Sequence, residues 1–286
     1  MENEPHRSDL LGPEGPLRPP IAHASISVIL LAEGPRSQTA EAVTDWRAFL
    51  AKLERPVEIL VIEQPAAEEP DCEVPLEATR LEVDPASGRG AVLQCAFAAA
   101  QHPLVVLSTA DRQFKPSDLN TLMGDIDQVD IAVGCRTVVP RPAWVRLLGR
   151  GFRLLGRIVL GLAVPPTTLT PGATPWRRRW AARWLFGIRL HDPECPFRLC
   201  RREAVIRILL QSKGPFALVE QLAKANHLEL IMTEEPVAWT PPEQPTQEPV
   251  GFAEEARALF RDPDFGPAEL HTPKPGPAGE SSGGPD

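Results

Sequence analysis

No stretch of this 286-residue chain approaches the roughly 20 consecutive apolar residues of a spanning helix, so no transmembrane segment is expected. Paired Cys-x-x-Cys spacing is missing as well. The five cysteines (Cys72, Cys95, Cys135, Cys195 and Cys200) are odd in number, which fits neither a disulfide framework nor a paired zinc site and suits a reducing cytosol. Positive charge is outnumbered: 30 Lys and Arg stand against 38 Asp and Glu, a formal charge of −8, and a nucleic-acid partner is excluded for want of a basic footprint. Met1 to Pro20 carries acids and prolines without an apolar segment, so no secretory signal is expected there. These absences lead us to expect a soluble, cytoplasmic protein.

What the chain has is 43% hydrophobic residues, enough for one large α/β domain, and 33 prolines gathered at the ends and in loops. Residues 1–24 are expected to be a disordered lead-in and residues 241–286 a Pro/Gly/acidic tail apart from a short helix at Phe252 to Phe260, leaving 25–240 as the domain. Tails of that composition bury too little to offset ordering entropy, so a chain of residues 25–240 is expected to melt as the full chain does.

Ile26 to Leu31 and Val57 to Ile62 are buried-strand patterns flanking a helix at about Ser37 to Glu54, whose Val43, Trp46, Phe49, Leu50 and Leu53 share a face. Strand, helix, strand in this order opens a nucleotide-binding α/β domain. Leu81 to Val83 reads as a short edge strand, Leu104 to Leu107 and Asp130 to Val133 as buried strands, Phe216 to Asn226 as a helix and Leu228 to Met232 as a strand.

The stretch from Leu104 to Pro116 organises the rest. Its apolar run stops at Ser108, and Pro116 and Asp118 suit the first turn of a helix. Asp111 therefore stands just past the C-terminal end of a central strand, where open α/β sheets bind ligands, and Gln113 can offer a carbonyl oxygen. Such a turn fits a hard cation, Mg²⁺ or Mn²⁺, whose other ligands are phosphate and water. It equally fits a carboxylate that caps the next helix. One helix earlier, Gly88-Arg89-Gly90 could let backbone approach an anion at a helix N-terminus, or could be a flexible lead-in.

Thr109-Ala110-Asp111-Arg112-Gln113 with Pro116 resembles the Asp-Ala-Asp-Leu-Gln…Pro turn of inverting GT-A glycosyltransferases of family 2, similar to the dolichyl- and polyprenyl-phosphate sugar transferases. The first acid has become Thr109. Ser87-Gly88-Arg89-Gly90-Ala91 resembles the family's Gly-Lys-Gly helix start, Gly134-Cys135-Arg136 its Gly-Ser-Arg, and Asp192-Pro193-Glu194-Cys195-Pro196-Phe197-Arg198-Leu199 its Asp-Thr-Gln-Cys-Gly-Phe-Lys/Arg-Leu. Glu33 stands where the family has Asn and Glu63 where it has an acid toward base or ribose; the usual closing Ser-Lys is absent. The resemblance spans about residues 25–239 and implies a Rossmann-like GT-A fold with a mostly parallel sheet. It further implies that Glu33, Glu63, Gly88, Arg89, Gly90, Asp111 and Arg136 meet a nucleotide-diphospho-sugar, that Asp111 and Gln113 hold Mg²⁺ or Mn²⁺, and that Asp192 and Arg198, with Glu220 nearby, face the acceptor.

From Arg136 to Arg202 the charge balance inverts, with arginines throughout and only Asp192 and Glu194 opposing them. Trp144 to Ile158 gives an amphipathic helix, and Trp176, Trp180 and Trp184 recur every fourth residue beside Arg177, Arg179 and Arg183. Two readings stand: an anionic membrane surface met by indoles and guanidiniums, or tryptophans packed on the sheet with solvated arginines. Together with the resemblance, the first implies a polyprenyl-phosphate or other membrane-associated acceptor and a location on the inner face of the membrane. Two functions therefore remain in view. One is sugar transfer from a nucleotide-diphospho-sugar, and the other is a catalytically degenerate GT-A domain serving as a binding or scaffold module.

Overall fold

The computed structural model describes residues 20–32, 36–63, 78–138, 174–241 and 251–266; the expectations placed on Glu33, Cys72, the Trp144 to Ile158 face and the outer tails fall outside the described residues. Chain order is β1 (Ile26–Ala32), α1 (Arg36–Leu50), β2 (Val57–Glu63), β3 (Thr79–Glu82), α2 (Gly88–Ala99), β4 (Leu104–Thr109), α3 (Leu119–Met123), β5 (Ile131–Val138), α4 (Trp176–Phe186), β6 (Arg198–Arg201), α5 (Arg202–Val205), α6 (Ala217–His227), β7 (Met232–Trp239) and α7 (Phe252–Arg261).

The strands form one sheet in the order β3-β2-β1-β4-β6-β5-β7. All neighbours run parallel except β6, which is antiparallel to both β4 and β5. The near-continuous apolar runs of β1 and β4 are what a strand covered on both faces requires, and both lie buried at the centre. On one side Trp46 of α1 packs against Phe197 with ring centroids 6.3 Å apart, and Phe197 stacks on Phe114 at 5.2 Å. This aromatic column joins α1, the segment before β6 and the turn after β4.

Three boundaries differ from expectation. The last strand is Met232–Trp239 rather than Leu228 to Met232; Pro236 within it is tolerated because β7 lies at the edge of the sheet among the described residues, paired along its length with β5 and bridged at Trp239 to Phe114. The lead-in does not stay loose up to residue 24, since Asp127 accepts the Ile21 and Ala22 amides at 2.6 and 2.8 Å and Arg55 donates to Ala22 O at 2.5 Å.

Nor does the domain end at 240. α7 buries Ala256 and Leu259, and Phe252 meets Phe216 edge-on at 5.0 Å. Glu255 Oε1 accepts the Lys213 and Gly214 amides at 3.1 and 2.7 Å, while Lys224 Nζ donates to Asp264 O at 2.6 Å. The sequence shows the helix but not its packing, because only a narrow face, Ala256 and Leu259 with Phe252 beside them, is covered while Phe260 stays exposed.

Ending the chain at residue 240 is thus expected to lower the melting temperature by several degrees, and Leu259→Ala in the full chain to cost about 2–4 kcal/mol in a denaturant titration. Unchanged melting on both counts would show that α7 does not pack on the domain.

Candidate active site

In a sheet of this order the connections leave β1 toward β2 and return through β3 to β4, so the switch point falls between the C-terminal ends of β1 and β4. Register brings the candidates to that edge: Ala32 pairs with Glu63, Leu31 with Thr109, and the Ala110 amide donates to Leu31 O at 2.9 Å. Asp111 follows directly. β5 and β7 run the same way, so Arg136 and Trp239 reach the same edge.

The turn after β4 is closely held. Arg112 lies in the left-handed region at φ 57°, which costs an L-residue roughly 1–2 kcal/mol, and its guanidinium meets Glu41 at 2.5 Å and Asp45 at 2.9 Å on α1. The reversal brings Asp111 and Gln113 together: the Gln113 side-chain amide donates to Asp111 Oδ2, and the Gln113 backbone N–H reaches Oδ1 at 3.3 Å. Thr109 Oγ1 donates to the same Oδ1 at 2.6 Å. Where a second acid would repel Asp111, the hydroxyl supports it.

Gln113 Oε1 is itself engaged, accepting from the Trp239 indole Nε1 at 2.8 Å, and Thr240 N donates to Gln113 O at 3.0 Å. The expected oxygen ligand is thus turned toward β7. Among the described residues no group of three His, Cys, Asp or Glu could hold a metal. The turn fits a divalent cation through the single carboxylate of Asp111, which suffices only where a diphosphate and water fill the remaining positions.

Gly88 and Gly90 are placed differently from expectation. The Arg89 and Gly90 amides donate to Lys213 O at 2.8 Å and Ser212 O at 2.9 Å, so the free N–H groups of an anion cradle are taken by the chain itself. A Cβ on Gly90 would stand 2.5 Å from Ser212 O, and Gly88 at φ 79° would place one 2.7 Å from Lys213 Cα. The glycines serve a close approach of backbone to backbone.

Glu63 is buried at the end of β2 and accepts from Arg80 Nε at 2.6 Å. Its charge is balanced within the sheet, with Arg80 of β3 at the rim. On the other side, Asp192 and Arg136 come together as a bidentate pair, Nε to Oδ2 and Nη2 to Oδ1, each 2.6 Å. The Arg136 backbone amide donates to Oδ2 at 3.2 Å and Thr174 Oγ1 to Oδ1 at 2.8 Å, and Glu234 Oε1 accepts the Asp192 amide at 2.6 Å. Neighbouring Glu194 is held by Arg178 at 3.2 Å, and burial raises its carboxyl above the ordinary value despite that partner.

Arg198 and Glu220 require correction as acceptor-facing groups. Arg198 is 0% exposed and donates to Pro193 O, Cys195 O, Leu218 O and Gln221 Oε1 at 2.6–2.9 Å, so it ties loop to helix and meets no ligand. Glu220, also 0% exposed, pairs with Lys224 at 2.7 Å and accepts the Gln211 and Ser212 amides. Trp239 and Thr174, which hold Gln113 and Asp192, were not foreseen; the one cue was a tryptophan closing the last strand.

No protein-family model matches the sequence, and no curated protein matches it. Solved structures do. The chain is similar to glucosyl-3-phosphoglycerate synthase from Mycobacterium tuberculosis in complex with UDP, at 16% identity and TM-score 0.54 over 87% of this chain and 84% of that one. It is likewise similar to the same synthase with Mn²⁺, UDP and glucosyl-3-phosphoglycerate (17% identity, TM-score 0.52, 86% and 79% covered). A third match is that synthase with Mn²⁺, UDP-glucose and phosphoglyceric acid (17%, 0.51, 86% and 79%). The chain has the GT-A fold. At such identity the likeness concerns architecture, and the mostly parallel sheet of the GT-A fold is what the sequence led us to expect.

Burial raises the Cys135 thiol to about 12, helped by the charge of Glu234, and raises Cys200 to about 12 and Cys195 further. Iodoacetamide at mildly alkaline pH should therefore label exposed Cys95 and spare these three, as read by peptide mass spectrometry. Labelling of Cys135 before Cys95 would show that the β5 end of the site opens. Arg198→Ala should cost about 3–5 kcal/mol in stability, because four buried acceptors lose their donor.

Proposed function

We propose that this protein is a glycosyltransferase that moves a sugar from a nucleotide-diphospho-sugar to a phosphorylated acceptor. The observation that carries the proposal is Asp111, the one carboxylate of the turn, positioned by Thr109 and Gln113 at the switch point of a GT-A sheet. Support comes from Glu63 at the adjacent strand end, suited to a ribose hydroxyl or base N–H, and from a structural relative in complex with UDP-glucose, Mn²⁺ and phosphoglyceric acid.

In this reading Asp111 would hold Mg²⁺ or Mn²⁺ beside the donor diphosphate, and the ion would supply positive charge to offset what the leaving nucleotide gains. Glu63 with Arg80 fixes the nucleoside side. The Asp192 and Arg136 pair shapes the acceptor side; a phosphate acceptor is already a nucleophile and needs no general base there. Two acceptors fit this side and differ in that respect: a polyprenyl phosphate, as the sequence resemblance implies, attacks through an anionic phosphate oxygen, whereas a small phosphoglycerate, as named for the relatives, offers a hydroxyl whose proton a base must take.

A second reading has its own observations. The Gly88 and Gly90 cradle is filled by Ser212 and Lys213, and Gln113 Oε1 is given to Trp239, which favours a GT-A domain that binds a nucleotide without transferring its sugar.

Calorimetric titration with UDP- and GDP-sugars, each with and without Mn²⁺, tests both. Asp111→Asn should abolish metal-dependent nucleotide binding, and Thr109→Asp should strengthen it about tenfold by adding an anionic oxygen. Release of nucleoside diphosphate with formation of a glycosylated acceptor, when phosphoglycerate or polyprenyl phosphate is present, distinguishes transfer from binding alone. If neither substitution changes affinity with Mn²⁺ present, the turn is not a metal site and transfer through it is refuted.

A further inference from the structure

The tryptophans of α4 do not pack on the sheet. Trp176, Trp180 and Trp184 are 60%, 52% and 74% exposed, and Trp180 and Trp184 stack on each other with ring centroids 6.1 Å apart. At positions i, i+4 and i+8 they form one stripe along the helix. Leu185 of the same helix and Phe260 of α7 are exposed too, and both line a cavity of about 250 Å³ between α4, α6 and α7 whose wall includes Phe186, Ala223, Leu259 and Phe265. Large exposed aromatics gathered on one element mark an interaction surface rather than ordinary solvent exposure.

The charge beside the stripe is of one sign. α4 carries Arg177, Arg178, Arg179 and Arg183 and no acid, in a chain whose formal charge is −8. Arg178 turns inward to Glu194 and lies 4.7 Å over the Phe252 ring, which docks the helix on the domain. Arg177 and Arg183 remain exposed among the indoles. A symmetric dimer through this face would set this arginine-bearing patch against the same patch of the other copy, positive against positive. An anionic bilayer meets both demands: indoles settle at the level of the head groups, and the guanidiniums reach lipid phosphates.

We propose that the exposed face of α4, continued by Leu185 and Phe260, docks this protein on an anionic lipid surface. Docking requires neither nucleotide nor metal, so it stands or falls apart from the transfer reading. The chain runs from the end of α4 through five residues to Asp192, so a docked α4 brings the Asp192 and Arg136 side of the cleft toward the lipid.

Co-sedimentation of the full chain with vesicles of phosphatidylcholine and phosphatidylglycerol tests this, with pure phosphatidylcholine vesicles as the second arm. The expected result is binding to the anionic vesicles alone, a blue shift of tryptophan emission, and release as salt screens the charges. Arg177→Glu with Arg183→Glu should weaken binding by about thirtyfold or more, at roughly fivefold for each charge lost. Trp180→Ala with Trp184→Ala should remove the blue shift; both pairs are exposed, and an unchanged circular dichroism melt confirms folding. Equal binding to neutral vesicles, no binding to either, or binding that survives the arginine reversals would overturn the proposal. So would a self-association in sedimentation velocity that the tryptophan substitutions abolish.

Discussion

A guanidinium bound by three carbonyls and one side-chain amide ties the loop before β6 to α6. Arg198 opens β6, the one reversed strand, and its side chain points into the protein to gather carbonyls from the preceding loop and from α6. Desolvation lowers its pKa to about 10, still well above neutrality, so it stays charged and depends on those acceptors. The Asp192 side of the cleft hangs from this arrangement: the fixed loop presents Asp192 to Arg136, and it sets Phe197 between Trp46 and Phe114. Through Phe114 the same constraint reaches the turn that carries Asp111.

A second layer of support comes from carboxylates that serve backbone amides instead of ligands. Glu220 and Glu255 both accept amides from residues 211–214, and that segment in turn accepts the Arg89 and Gly90 amides of α2. The route runs from α7 through a loop to the start of α2. Glycine at 88 and 90 is required by that contact whether or not a phosphate ever arrives.

How much of this was legible in the sequence varies with the kind of information each feature needs. β1, β2 and β4 announce themselves because strands buried on both faces must be continuously apolar, and the place of Asp111 follows from where such a run stops. β6 hides because two of its four residues, Arg198 and Arg201, are arginines that are nonetheless buried, so no apolar period exists to read. The GT-A resemblance supplied the neighbourhood of Asp192 but not its partners' state: that Arg136 would be consumed by Asp192, and Gln113 by a tryptophan 126 positions away, are facts of tertiary contact. Local pattern likewise gave the right helix at Phe252 but the wrong fate for it, since burial of one narrow face depends on what Phe216 offers opposite.

The two outer strands of the sheet carry a consequence for behaviour in a crowded solution. An open sheet presents unpaired backbone at each rim, and such rims recruit strands from other molecules. Among the described residues one rim is β3, only four residues long with Arg80 and Glu82 in it, and the other is β7, interrupted by Pro236, which has no amide hydrogen to give. A neighbouring chain finds too short a template at one side and a broken ladder at the other, so the sheet resists growing into fibrils by edge addition.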